Sequence, residues 1–266
     1  MNQFLLTLRW QLLLKPLGFT IKYYALFMST ISGNFLSLVV PGEYGVDVMR
    51  FWDLKKHSRQ NAKPAVSLLM DRILGFLSCV FMGMVMIIPA YNCVQNKTMV
   101  FVICGFVLFL TVVLFAIFNE SFLRIVNMLS NNSRFRKFTL KVSEAIMLYK
   151  AHTKIVIKAF CLSIVSRILM IFGIYVFSIS LGWELNPIYF FIFIPIILIL
   201  LAIPVSIQNL GTRDLLYIYF FSQVGIEPQY SLALSVAIFS WVIIKSLLCG
   251  LVFLFVKRNY RVAETA

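Results

Sequence analysis

Three cations stand inside apolar stretches of this 266-residue sequence: Arg72, Arg167 and Lys245. At the centre of a bilayer such a charge costs about 2.5–3.5 kcal/mol, so each needs a counter-ion, water or a ligand. Asp47, Asp71 and Asp214 are available as partners. Pairs of this kind either lock a helix bundle together or line a polar pathway for a charged group. Arg167, the deepest in its segment, is the candidate for the pathway.

Two polar breaks add a second signal. One runs Pro41-Gly42-Glu43-Tyr44-Gly45-Val46-Asp47-Val48-Met49-Arg50; the other runs Ser206 through Gly211-Thr212-Arg213-Asp214. Each holds a glycine followed by an Asp/Arg pair at a helix start. Helix N-termini present unpaired N–H groups and a positive dipole end, which attract anions. Arg50 and Arg213 add fork-shaped donors that suit phosphate. The candidate substrate-binding set is therefore Arg50, Arg167, Arg213, Asp47, Asp71, Arg72, Asp214, Gly42, Gly45 and Gly211. Asp47 and Asp214 also fit as caps of their own helices.

Catalytic groupings are thin. The two histidines, His57 and His152, fall in basic loops and read as surface residues. No P-loop and no nucleophile elbow occurs. No His/Cys/Asp grouping has metal-ligand spacing. No catalytic residue, cofactor or metal is expected, and the chain reads as a protein that is not an enzyme.

The elements that hold these residues follow from composition. The chain is 61% hydrophobic and 13% charged, against about 45–50% and roughly 25% in soluble domains. A water-facing globule is excluded, and lipid must be the solvent. Lys and Arg number 24 against 10 Asp and Glu, a net charge of +14. Basic loops at a cytoplasmic membrane face explain that excess, without a nucleic-acid partner. The five cysteines form no framework of paired spacing.

The expected fold is an all-α, polytopic membrane bundle in a single domain over 1–266. Residues 1–22 read as an interfacial helix, and 23–64 as an interrupted segment with a basic loop. Residues 65–91 and 98–119 are spans. Residues 120–153 form a cytoplasmic amphipathic linker, with Phe138, Val142, Ile146 and Tyr149 at helical spacing. Residues 154–181 span again, 188–224 are interrupted, 229–256 span, and 257–266 form a cytoplasmic tail. This arrangement keeps every basic loop inside. It also sends one interrupted segment in from each side, as in transporters built on inverted repeats.

Several pieces together resemble a known family: Arg9-Trp10-Gln11-Leu12-Leu13-Leu14, the P-G-x-x-G-x-D-x-x-R run from Pro41 to Arg50, Asp71-Arg72-Ile73-Leu74-Gly75, and Pro204 through Asn209-Leu210-Gly211-Thr212-Arg213-Asp214. Their order and spacing are similar to the lysylphosphatidylglycerol synthase transmembrane family, the flippase-like domain, from about residue 5 to residue 256. The resemblance implies an integral membrane protein that handles lipids. Its motif residues here are Pro41, Gly42, Gly45, Asp47, Arg50, Asp71, Arg72, Gly75, Gly211 and Arg213. The family places one or two spans ahead of its Arg-Trp motif; this chain begins almost at it, as a short start or a lost first helix would leave it. The family's late motif has a Pro-Gly-rich stretch and a Glu after the Arg, whereas Asp214 stands there in this chain. No soluble synthase domain is attached, so synthase activity is not implied.

The expected function is binding and translocation of an anionic lipid or lipid-linked sugar headgroup, on a phospholipid or polyprenyl-linked lipid, across the plasma (inner) membrane, with the C-terminus cytoplasmic. The alternatives are a non-transporting scaffold for an envelope-biosynthesis enzyme and a lipid-carrier transferase or phosphatase.

Overall fold

The structure is a computed structural model and describes residues 2–40, 44–56, 62–93, 104–105, 108, 111–112, 147–203, 206 and 208–255. Gly42, most of the expected 98–119 span, most of the 120–153 linker and the 257–266 tail lie outside the described residues.

Among the described residues every regular element is helical: α1 (Asn2–Leu14), α2 (Tyr23–Leu36), α3 (Gly45–Lys56), α4 (Ala62–Val85), α5 (Ile87–Cys93), α6 (Thr153–Ser180), α7 (Ile188–Leu200), α8 (Thr212–Ser222) and α9 (Pro228–Phe255). Three stretches are long and apolar enough to cross a membrane: Lys63–Val85, Thr153–Ser180 and Pro228–Leu254. At 1.5 Å per residue, 28 residues reach about 42 Å, more than the hydrocarbon core of about 30 Å. By the same arithmetic α2 and α7, with 14 and 13 residues, reach only about 20 Å. Each is a half-helix, and each is followed by a break and a second short helix.

The two half-helix pairs pack reciprocally. Helix α2 lies on α3 and on the far span α9; α7 lies on α8 and on the far span α4. Helix α7 is apolar all round because it is buried all round, with Phe190, Ile192, Phe193, Ile194, Ile196 and Ile197 all in the core. Phe221 of α8 fills the gap beside it, its ring 5.1 Å from Phe190, 5.6 Å from Phe193 and 5.2 Å from Trp183. Helix α9 is the opposite case: its long side chains Trp241, Leu247, Leu248, Leu251 and Leu254 face outward, where lipid accepts them.

Helix α2 carries polar residues that an apolar bundle must satisfy. Thr30, Ser32, Asn34 and Ser37 each donate to the carbonyl four residues back, at 2.8–3.0 Å. Glycine permits the α2–α3 crossing. A Cβ on Gly33 would stand 2.5 Å from the Val46 Cα, and one on Gly45 would overlap the Ser37 backbone.

Helix α1 packs against α6, α2 and α4. Trp10, Leu13 and Leu14 are fully buried on it, together with Thr7 and Arg9. Its last turn is held from outside the spans: the Tyr149 hydroxyl donates to the Leu13 carbonyl at 2.5 Å. Burial raises the Tyr149 pKa above the usual tyrosine value, so the phenol keeps this proton.

The expected continuous segment 65–91 is two helices, α4 and α5, with a turn at Met86. Pro89 supplies no N–H for the Val85 carbonyl, so one bond is missing there, while Met86 still donates to the Met82 carbonyl and Ala90 to the Met86 carbonyl.

Candidate functional site

Helix α4 places Asp71 and Arg72 in adjacent positions, so their side chains diverge and reach different partners. Asp71 turns toward α1. Arg9 grips it with two parallel bonds, Nε to Oδ1 and Nη2 to Oδ2, both 2.6 Å. Arg50 of α3 reaches the same Oδ2 at 3.5 Å. Arg50 also donates to Thr30 Oγ1 from Nε and Nη2, and its guanidinium lies 4.5 Å above the Trp10 ring. All three ionic residues are at most 6% exposed. One carboxylate thus ties together α1, α3 and α4, and the third donor of Arg9 extends the tie to Ser163 on α6 at 3.0 Å.

Arg72 turns the other way. It bonds Asp47 of α3 from Nε and Nη2 at 2.5 Å, and it stacks 4.4 Å from the Tyr44 ring centre. The Tyr44 hydroxyl donates to the Ala202 carbonyl at 2.8 Å, just beyond α7. Gln208, in the second break, donates its side-chain amide to the Ser37 carbonyl at the end of α2. The two interrupted segments therefore meet at their breaks.

A cavity of about 100 Å³ opens at this meeting point. It has room for several waters or a phosphate group. Asp71, Arg72, Gly75, Arg167, Tyr44 and Asn209 line it, with Phe76, Leu198, Leu201 and Ala202 as the apolar wall. Arg167 enters from α6. It passes beside Gly75, where a Cβ would make ordinary contact with it, 3.5 Å from Arg167 Nη2 and 3.8 Å from Arg9 Nη1. The polar contact Arg167 makes is a long one, 3.9 Å to the Met170 sulfur, and no carboxylate pairs with it among the described residues. Around the cavity four guanidiniums (Arg9, Arg50, Arg72, Arg167) stand against two carboxylates (Asp47, Asp71), an excess of two positive charges. In a low-dielectric bundle that excess attracts an anion.

Of the residues singled out in the sequence, the structure brings Asp71, Arg72 and Arg167 to one cavity. Arg50 joins them through Asp71, and Asp47 through Arg72. Gly45 sits at the helix crossing rather than in the cavity wall. Arg213 and Asp214 are placed elsewhere, against α9: Arg213 Nε donates to Ser235 Oγ at 2.9 Å, and Ser235 donates to Asp214 Oδ1 at 2.5 Å. Asp214 Oδ2 accepts the Gly211 N–H at 3.0 Å and so caps its own helix, and Gly211 opens that helix at φ +80°. Lys245 lies half-buried on α9.

Arg9, Tyr44 and Asn209 belong to the site and were not among the sequence candidates. For Arg9 the available signal was its place beside Trp10, Leu13 and Leu14 on one buried helical face.

No curated protein and no solved structure matches the chain significantly. The profile described as lysylphosphatidylglycerol synthase TM region matches residues 1–257 of the 266. The cavity, the meeting breaks and the buried Arg9–Asp71–Arg50 cluster are thus those of a membrane protein that belongs to the lysylphosphatidylglycerol synthase TM region family.

Proposed function

We propose that the protein is a flippase-like carrier that binds an anionic lipid headgroup in the Arg72–Arg167 cavity and lets it cross the plasma membrane. It performs no chemical conversion of the lipid, and its C-terminus faces the cytoplasm. The observation that carries the reading is Arg167: a guanidinium within a membrane-spanning helix that lines a cavity and forms an ion pair with no carboxylate among the described residues. A phosphate would supply the missing charge and accept its donors in the forked geometry arginine favours. Arg9, Arg50 and Asp71 hold the wall in place; Arg72 and Arg167 meet the ligand. Tyr44 and Gln208 join the two half-helix pairs, so a change at the cavity is felt by both.

The test is reconstitution into phosphatidylcholine vesicles containing tail-labelled fluorescent phosphatidylglycerol, with inner-leaflet lipid followed by dithionite bleaching. Hydrogen bonds to a charged group are worth about 1.5–3 kcal/mol, or about 10–100-fold. Arg167→Gln is expected to slow movement by about tenfold or more. An unchanged rate in folded Arg167→Gln removes Arg167 from the mechanism. No protein-dependent movement in the wild type removes the transport reading.

A further inference from the structure

We infer that Gly75 is the floor of the phosphate seat: one phosphate oxygen of the headgroup packs on the bare Cα of Gly75 and takes a donor from Arg167 on one helix and from Arg9 on another. The inference rests on the binding role proposed above for the same cavity. It adds where in the cavity the phosphate sits, and it makes Arg9 a ligand-binding residue as well as the partner of Asp71.

Gly75 lies in the middle of α4, where glycine lowers helix stability relative to alanine. Helix packing does not account for it. An added Cβ would collide with Val46 at Gly33, with Ser37 at Gly45 and with Phe35 at Gly250. At Gly75 it would collide with nothing. Gly75 lines the cavity. Apart from the backbone of α4 and the flanking Leu74 and Phe76, the described atoms within 4 Å of that Cβ position are Arg167 Nη2 at 3.5 Å and Arg9 Nη1 at 3.8 Å. Two cationic tips from two helices converge on one spot beside the cavity wall.

Both tips have hydrogens to donate. Arg9 engages Asp71 through Nε and Nη2, which leaves Nη1 on the far side of the guanidinium, and one of its two hydrogens goes to Ser163. Arg167 makes its long contact to the Met170 sulfur through Nη1, and its Nη2 has no partner among the described residues. An N–H···O bond spans about 2.7–3.2 Å, so an oxygen just outside the Cβ position, in contact with the Gly75 Cα, lies within reach of both nitrogens. Glycine is the residue that lets a ligand approach backbone this closely. A phosphate oxygen is the complement, because it brings the charge that two neighbouring guanidiniums require and accepts more than one hydrogen bond. A methyl at position 75 holds that oxygen off without disturbing the bundle, since 3.5 and 3.8 Å are ordinary contact distances.

The experiment is native mass spectrometry of the full chain with dihexanoyl phosphatidylglycerol, with dihexanoylglycerol, which lacks the phosphate, and with inorganic phosphate. Gly75→Ala is expected to fold, with an unfolding midpoint equal to or above that of the wild type because alanine favours the helix. It is expected to bind the phospholipid about tenfold or more weakly, and to bind dihexanoylglycerol as the wild type does. Inorganic phosphate bound by the wild type and lost in Gly75→Ala also supports the seat, with a free ion rather than a lipid as its occupant. Should Gly75→Ala fail to fold, the wild type decides. Phosphatidylglycerol with sulfur in place of one non-bridging phosphate oxygen keeps its charge, and its two phosphorus diastereomers are expected to differ in affinity by about tenfold, because only one of them sets the larger sulfur over Gly75. Folded Gly75→Ala with wild-type affinity for the phospholipid overturns the inference, as does an equal loss of dihexanoylglycerol; without a folded variant, equal affinities of the two diastereomers do so. If Arg167→Gln still loses the phospholipid in those cases, the anion cavity stands without the seat. Binding that does not respond to Arg167→Gln overturns the cavity reading and the seat together.

Discussion

Replacing Asp71 by asparagine should destabilise this bundle more than any other single removal of charge. Asp71 accepts two bonds from Arg9 at 2.6 Å and lies 3.5 Å from Arg50. Asparagine keeps the shape and one acceptor but removes the one carboxylate that, among the described residues, forms ion pairs with these two guanidiniums. Breaking a buried ion pair from one side costs about 3–5 kcal/mol, because the surviving charge is left uncompensated. Asp71 leaves two such charges, which puts the expected loss in the upper half of that range. Asp47→Asn is the control. Its pair with Arg72 is half-buried, 22% exposed on the aspartate side and 32% on the arginine side, so its loss is expected to be smaller than that of the buried Asp71. The assay is reversible unfolding of the purified chain in mixed micelles, with helix content followed by circular dichroism. A loss below about 1 kcal/mol for Asp71→Asn, the range of an exposed pair, would refute the claim that this carboxylate organises the site. The double variant Arg9→Met, Asp71→Leu should recover part of the loss, since an apolar pair of similar volume removes the burial cost along with the charges. Strict additivity of the two changes would contradict direct pairing.

Two further outcomes follow from the helix contacts. Gly33→Ala places a Cβ 2.5 Å from the Val46 Cα; backbone cannot yield as a side chain does, so α2 and α3 separate at a cost of about 1–3 kcal/mol, read in the same unfolding assay. Asp214→Ala removes the cap on the Gly211 N–H and the acceptor for Ser235; it is expected to cost about 1 kcal/mol and to leave lipid binding, measured by native mass spectrometry, unchanged.

Much of the site can be read from residue type alone. A charge in an apolar run demands a partner, and that rule leads from Arg72 to Asp47 before any helix is placed; it does not find the partners of Asp71, and Arg167 pairs with none of the three aspartates among the described residues. The half-helices are also legible, because mainly apolar runs this short, 14 and 13 residues, ending in a polar break do not reach across a bilayer. Pairing across long separations is not. Arg9 meets Asp71 from 62 residues away, and an arginine that interrupts a short apolar run reads locally as one facing headgroups. The likeness of the two breaks also misleads. It groups Arg213 with Arg50, but Arg213 turns to Ser235, one of four serines in a mostly apolar helix, which nothing in the sequence marks as a partner.

The central claim is that Arg167 and its cavity hold an anionic headgroup. The most direct measurement is mass spectrometry of the lipids that remain bound to the full chain after purification in mild detergent, wild type against Arg167→Gln. The account predicts one class of phosphate-bearing lipid enriched in the wild type and lost in the variant, with both proteins equally folded. The same bulk lipid profile in both would contradict it.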